Sequence, residues 1–186
     1  MKKWIWLACF GLSLNAMAQS LPAIEDKVKN MTAKPGFLPM YLDGETGKIY
    51  LEINQWKQEL LYNTSLPAGL GSNDIGLDRG KLGEERIIRF EQQGKKVMMI
   101  QPNYAYRAVS NDAAEKRAVE QSFAQSMLWA FTAEAATGQR VLVDATEFML
   151  RDAVKVANTL RRSNQGSYQL DKNRSLLYLP TPAIFP

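Results

Sequence analysis

The sequence predicts an α+β domain: a mostly antiparallel sheet carrying two amphipathic helices. Three observations support this. Short apolar runs alternate with period two, as half-buried strands do. Turn-forming clusters rich in Gly, Asn and Asp sit between consecutive runs, close enough for hairpins. Two stretches near the middle and end of the chain space apolar residues at helical intervals behind an Asp-x-x-Glu opening.

Taken in order, Met1–Ala18 reads as a targeting segment. Lys2 and Lys3 give a positive start, Trp4 to Leu14 an apolar core and Ala16-Met17-Ala18 a small-x-small cleavage site. That core is too short for a permanent membrane span. Cleavage after Ala18 would remove Cys9, the chain's one cysteine. The exported remainder, in the periplasm or outside the cell, would then rely on a packed core rather than on disulfides.

Residues 19–36 form a polar lead-in with a short helix around Ile24–Met31, and residues 37–186 form the domain. Phe37–Leu42 and Lys48–Ile53 flank the turn Asp43–Gly47 and predict a first hairpin, with Ile49, Leu51 and Ile53 on one face. Glu59–Thr64 is a third strand. Arg86–Glu91 and Lys96–Gln101, around Gln92–Lys95, make a second hairpin. Asp112 and Glu115 open a helix that puts Val119, Phe123 and Met127 on one face and ends near Trp129. Arg140–Asp144 is another strand. The second helix, opened by Asp144 and Glu147, spaces Leu150, Ala153, Val154, Ala157 and Leu160 helically and ends on Arg161 and Arg162, where cations suit the helix dipole. Ser167–Leu170 and Leu176–Leu179 close the sheet.

Between the third strand and the second hairpin runs Ser65–Gly83, which holds Gly69, Gly71, Gly76, Gly80 and Gly83 out of 12 glycines in the chain. Glycine lets backbone segments approach closely and adopt positive φ. The interleaved Leu66, Leu70, Ile75, Leu77 and Leu82 are apolar anchors that a disordered linker would lack. The sequence therefore predicts an ordered loop with Asn73, Asp74, Asp78 and Arg79 as its candidate contact residues. The same residues also suit ordinary turns, through Asx hydrogen bonds and local charge pairing. Trp56, Tyr104, Tyr106 and Trp129 could stack on a ligand, although core and cross-strand packing accounts for them more simply.

Chemistry is narrowed mostly by what is missing. The chain has no histidine, so neither a His-ligated zinc site nor a Ser–His–Asp triad can be built from it. No catalytic residue and no metal ligand is identified. An Asp74–Asp78 carboxylate pair or hard-cation site remains a weaker option, without a supporting motif. The formal charge of +4 includes Lys2 and Lys3, and basic residues are interspersed with acidic ones. Nucleic acid is therefore not expected as a partner, nor is a membrane once the leader is removed.

Several linked motifs carry a family resemblance: S-L-P-A-G-L-G-S-N-D-I-G-L-D-R-G, R-I-I-R-F-E, Q-P-N-Y-A-Y-R-A, E-Q-S-F-A-Q-S-M-L-W and V-L-V-D-A-T-E-F-M-L-R-D-A. Over roughly Gly36 to Pro186 the chain resembles the N-terminal domain of unknown function of large exported bacterial zinc-dependent metalloproteases. The resemblance implies a following metzincin-type catalytic domain with an H-E-x-x-H-x-x-G-x-x-H motif, which this chain does not reach. It implies a non-catalytic accessory domain, here a fragment or excised domain, whose partner is the protease domain. Zinc would belong to that absent domain, leaving this chain without a cofactor. The alternatives are a stand-alone periplasmic module contacting peptide or glycan through the Ser65–Gly83 loop, and a carboxylate-based hydrolase.

Overall fold

Among the described residues, every strand runs antiparallel to its neighbours in one eight-stranded sheet. A computed structural model describes residues 21–69 and 73–177. The leader lies outside those residues. Helix α1 (Ile24–Val28) opens the described chain, followed by strands β1 (Thr32–Lys34), β2 (Met40–Leu42), β3 (Ile49–Ile53) and β4 (Leu60–Tyr62). After the glycine-rich loop come β5 (Arg86–Gln93), β6 (Lys96–Gln101), helix α2 (Ala113–Ser122), β7 (Ser126–Thr137) and β8 (Arg140–Asp144). Helices α3 (Thr146–Met149) and α4 (Val156–Arg162) follow. The spatial order is β1-β2-β3-β8-β7-β6-β5-β4, two meanders joined where β3 pairs with β8.

Local chemistry fixes the turns. Asp43 accepts hydrogen bonds from the backbone of Glu45 (3.0 Å) and Thr46 (3.2 Å) and from the Thr46 hydroxyl (2.7 Å). Those bonds, the Thr46 hydroxyl's first among them, hold the Asp43 carboxyl below its ordinary range. Gly94 and Gly138 take positive φ (58° and 60°) at the β5–β6 and β7–β8 turns.

Period-two alternation puts Ile88 and Phe90, Val97 and Met99, Phe131 and Ala133, and Val141 and Val143 into one core with Met40, Leu42, Ile49, Leu51 and Ile53. The sheet coils around that core. Beyond β3, Trp56 bridges to Phe90 of β5, and the Lys57 amide donates to the Phe90 carbonyl at 3.0 Å, although β8, β7 and β6 separate β3 from β5 in the sheet. Bulges at Met99/Ile100 and Ala133/Ala135 supply the extra twist this needs.

On the outer face, Ile24 of α1 packs with Tyr50, Ala135 and Leu142. A polar network pins α1 there. Glu25 accepts from the Thr137 hydroxyl at 2.7 Å and from Arg140 at 2.5 Å, and Arg140 also reaches the buried Glu52 at 3.4 Å. Tyr41 donates to the same Glu52 carboxylate at 2.9 Å. Burial and that bond push the Tyr41 phenol above its ordinary range.

Among the described residues, α1 falls where the short lead-in helix was expected, and three short helices, α2, α3 and α4, replace the two longer amphipathic ones expected. Asp112 does cap α2, accepting from the Ala114 amide at 2.7 Å, but the helix stops at Ser122 and has no buried residue. Met127 and Trp129, expected on that helix, belong to the twelve-residue β7. The four-residue spacing of Val119, Phe123 and Met127 imitates a helix face. Yet Trp129, Phe131 and Ala133 alternate, and two neighbouring strands stood ready to pair with them.

The second expected helix is broken between Leu150 and Lys155. Asp152 caps the new start with both oxygens, accepting from the amides of Val156 (2.8 Å) and Ala157 (3.0 Å), while Lys155 adopts φ 58°. Asp144 accepts from the Thr146 amide at 3.0 Å, whereas Glu147 turns away to Lys172 at 3.0 Å. Residues 167–170 are not a strand: Asp171 instead organises a 3-10 turn at Lys172–Arg174. Leu176 and Leu177 join no ladder, and Tyr178 and Leu179 lie outside the described residues. Strand β1 had no signal strong enough to be read from the sequence.

Candidate docking groove

The glycine-rich loop is clasped at its base. Ser65 bridges to Leu82, the Gly83 amide donates to the Thr64 carbonyl at 2.6 Å, and the Leu66 amide donates to the Lys81 carbonyl at 2.9 Å. Higher up, the Gly80 amide donates to the Leu66 carbonyl at 2.8 Å. Two glycines permit this approach. A Cβ on Gly69 would lie 2.7 Å from the Arg79 nitrogen and 2.9 Å from the Leu77 oxygen, and one on Gly83 would overlap the Thr64 side chain. Leu77 is fully buried and is the loop's firmest apolar anchor, while Leu82, expected to be another, is 63% exposed.

The sequence-predicted contact residues sit at the outer part of this loop. Asn73 starts a 3-10 turn (Asn73–Ile75), and Asp74, Asp78 and Arg79 are exposed. Among the described residues, the side chains of Asp74, Asp78 and Arg79 make neither an ion pair nor a hydrogen bond. The Asp78 backbone carbonyl accepts from the Lys81 amide at 3.1 Å. No three His, Cys, Asp or Glu side chains gather around a common point among the described residues. The four proposed stacking aromatics do not form one surface. Trp56 and Trp129 pack against the core, whereas Tyr104 and Tyr106 are exposed, Tyr106 lying on Phe123 with centroids 3.9 Å apart.

What the loop does line is a groove of about 470 Å³, through its returning limb Lys81–Glu84. The opposite wall is the segment between α3 and α4, Arg151 to Lys155, and the floor is Tyr62, Met99, Leu128 and Phe148. Both walls come from backbone features. The loop clasp sets one, and the helix break at Asp152 and Lys155 sets the other.

Arg151 is the best-fixed cation in the groove. Its guanidinium carbon lies 3.6 Å from the Phe148 ring centroid and 5.8 Å from that of Trp129. It donates to the Tyr62 hydroxyl and to the Phe148 carbonyl. Phe148 is itself held edge-on by Phe131 (5.3 Å) and Trp129 (5.5 Å). Lys81, Arg86 and Lys155 also line the groove, against the single carboxylate of Glu84. Glu84 pairs with Arg86 and stands 4.0 Å from Lys155. An apolar floor under fixed cations is suited to recognising an anion that carries an apolar neighbour.

A second cavity, of about 420 Å³, lies on the other side of Arg86, lined by Ile87, Gln101 to Ala105 and Ser126. Arg86 donates to Gln101 there at 2.6 Å.

Sequence reasoning missed Arg151 and Lys155 as site residues, because residues 144–162 read as one continuous helix, and Tyr62, which read only as part of the Glu59–Thr64 strand. The usable signal was Asp152 standing four residues before Val156, a spacing at which a carboxylate can cap a new helix start.

A family model described as a domain of unknown function (DUF5117) matches residues 80–186. No curated protein and no solved structure matches the chain. The matched stretch begins inside the loop at Gly80 and includes both groove walls. The sheet extends beyond it, because β3 pairs with β8 through Tyr50–Asp144 to Ile53–Val141.

Proposed function

The chain belongs to the DUF5117 family, a domain of unknown function, and from that premise we propose a non-catalytic role beside a protease. The chain is an accessory domain of an exported zinc-dependent metalloprotease, packing against the protease domain and positioning it. The observation that carries this reading is the groove: fixed cations over an apolar floor, framed by the clasped loop, in a chain that has no histidine. Its residues do not fit a zinc centre, since imidazole is missing and no acidic or thiol cluster replaces it among the described residues. Zinc is therefore assigned to the protease domain. Support for that partner comes from the resemblance of the linked motifs to the N-terminal regions of such enzymes.

The loop's Asp74, Asp78 and Arg79 are exposed on a braced support, as contact residues are, and Asn73 is proposed beside them. Asp78 and Arg79 form charge-assisted hydrogen bonds to the protease domain. Replacing both with alanine in a polypeptide that carries the protease domain should lower peptide hydrolysis by about tenfold, the loss of one charge-assisted contact. The melting temperature should stay the same, because both side chains are exposed. Unchanged hydrolysis would remove the loop from the interface. A chain secreted and active without any protease domain would favour the stand-alone binding module instead.

A further inference from the structure

We propose that the groove between Lys81–Glu84 and Arg151–Lys155 holds an extended acidic peptide segment, supplied by the protease domain. A large apolar side chain of the segment rests on the floor beside Phe148, and its carboxylate pairs with Arg151. The identity of the supplier rests on the accessory-domain reading, while the chemistry of the occupant rests on the groove alone.

Three observations specify that chemistry. The charge is one-sided: Lys81, Arg86, Arg151 and Lys155 line the groove against one carboxylate, Glu84, which pairs with Arg86 and stands 4.0 Å from Lys155. Arg151 is oriented in advance, stacked on Phe148 and bonded to the Tyr62 hydroxyl and the Phe148 carbonyl. Its remaining N–H groups have no protein partner among the described residues. A planar guanidinium held this way matches a carboxylate, with little side-chain entropy left to lose on binding. The floor beneath carries Met99, Leu128 and Phe148, so a free inorganic anion would leave most of the groove unfilled. The volume of about 470 Å³ accommodates a few residues of extended chain.

The test is selection of a random dodecapeptide library, displayed on phage, against the immobilised full chain. Enriched peptides should place Asp or Glu within two residues of a large apolar residue. A fluorescein-labelled synthetic copy of the winning peptide should bind with an affinity that falls as salt rises. Arg151→Gln should weaken it by about tenfold or more, the cost of one charge-assisted pair. Because Arg151 also packs on Phe148, the melting temperature is measured alongside. If that variant unfolds, the double variant Lys81→Gln/Lys155→Gln, in which both lysines are exposed, decides the matter.

No enrichment, enriched peptides without an acidic residue, or an affinity untouched in the folded variants would each overturn the proposal. Acidic peptides selected by a chain that fails to associate with a protease domain would sink the accessory reading and leave the groove standing. Association without any selection of acidic peptides would do the reverse.

Discussion

Replacing Phe148 with alanine should destabilise the chain by about 3–5 kcal/mol, the usual cost of truncating a buried aromatic. Phe148 is 8% exposed and is the residue through which α3 enters the core. Its ring meets Phe131, Trp129 and Tyr62 at centroid distances of 5.3, 5.5 and 6.3 Å. Such a loss is a large share of the roughly 5–15 kcal/mol that keeps a domain folded. Urea unfolding followed by tryptophan fluorescence should therefore show a much lower midpoint. The same change removes the surface on which Arg151 is stacked, so groove binding should weaken even at temperatures where the variant stays folded. A midpoint within experimental error of the unmodified chain would mean that α3 does not close the core.

Replacing Arg140 with methionine should have the second-largest effect, lowering the urea midpoint by less than Phe148→Ala does. Arg140 is the cation nearest Glu52, which is 3% exposed. Removing one partner of a buried pair costs roughly 3–5 kcal/mol, because the other charge stays buried and uncompensated. The expectation is set below that range because the Arg140 side chain is 40% exposed and Tyr41 still donates to Glu52. Arg140 also ties Glu25, and hence α1, to the sheet.

Glu25 adds a dependence on pH. The Thr137 hydroxyl, the residue's own backbone amide and Arg140 together lower its pKa from 4.5 to about 2. A carboxylate depressed on folding contributes stability above its unfolded value and loses it as pH falls through its folded value. Stability should accordingly decline between pH of about 4.5 and about 2. In Arg140→Met that acid limb should be shallower without vanishing, since the Thr137 bond, the largest cause, is retained. Melting temperatures recorded across that window check both statements, and identical acid limbs in the two proteins would contradict the second.

Hairpins were the most legible part of the fold, because their information is local. Asp43–Gly47 and Gln92–Lys95 carry turn chemistry between alternating runs, and both hairpins form as the residues dictate. β7 was illegible for the opposite reason. Ala130, Ala133, Ala135 and Ala136 favour helix in isolation, and only pairing with β6 and β8 makes them a strand. The closure of β3 onto β8 joins segments about ninety residues apart in sequence, which no local pattern encodes.

At the site, glycine density marked a loop whose clasped base brings Gly69 and Gly83 close to neighbouring backbone and side chains, while Leu70 and Gly71 lie outside the described residues. It drew the eye to the polar outer residues, whereas the groove is lined by the returning limb. The other wall depended on Lys155 adopting positive φ, a tertiary outcome for a residue with no intrinsic preference for it.

The account holds that this chain recognises and positions rather than cleaves. The most direct check is to count zinc per molecule in the purified full chain while following hydrolysis of an unstructured casein substrate. The account predicts no bound zinc at stoichiometric level and no cleavage, with chelator making no difference. One tightly held zinc per chain together with chelator-sensitive cleavage would contradict it.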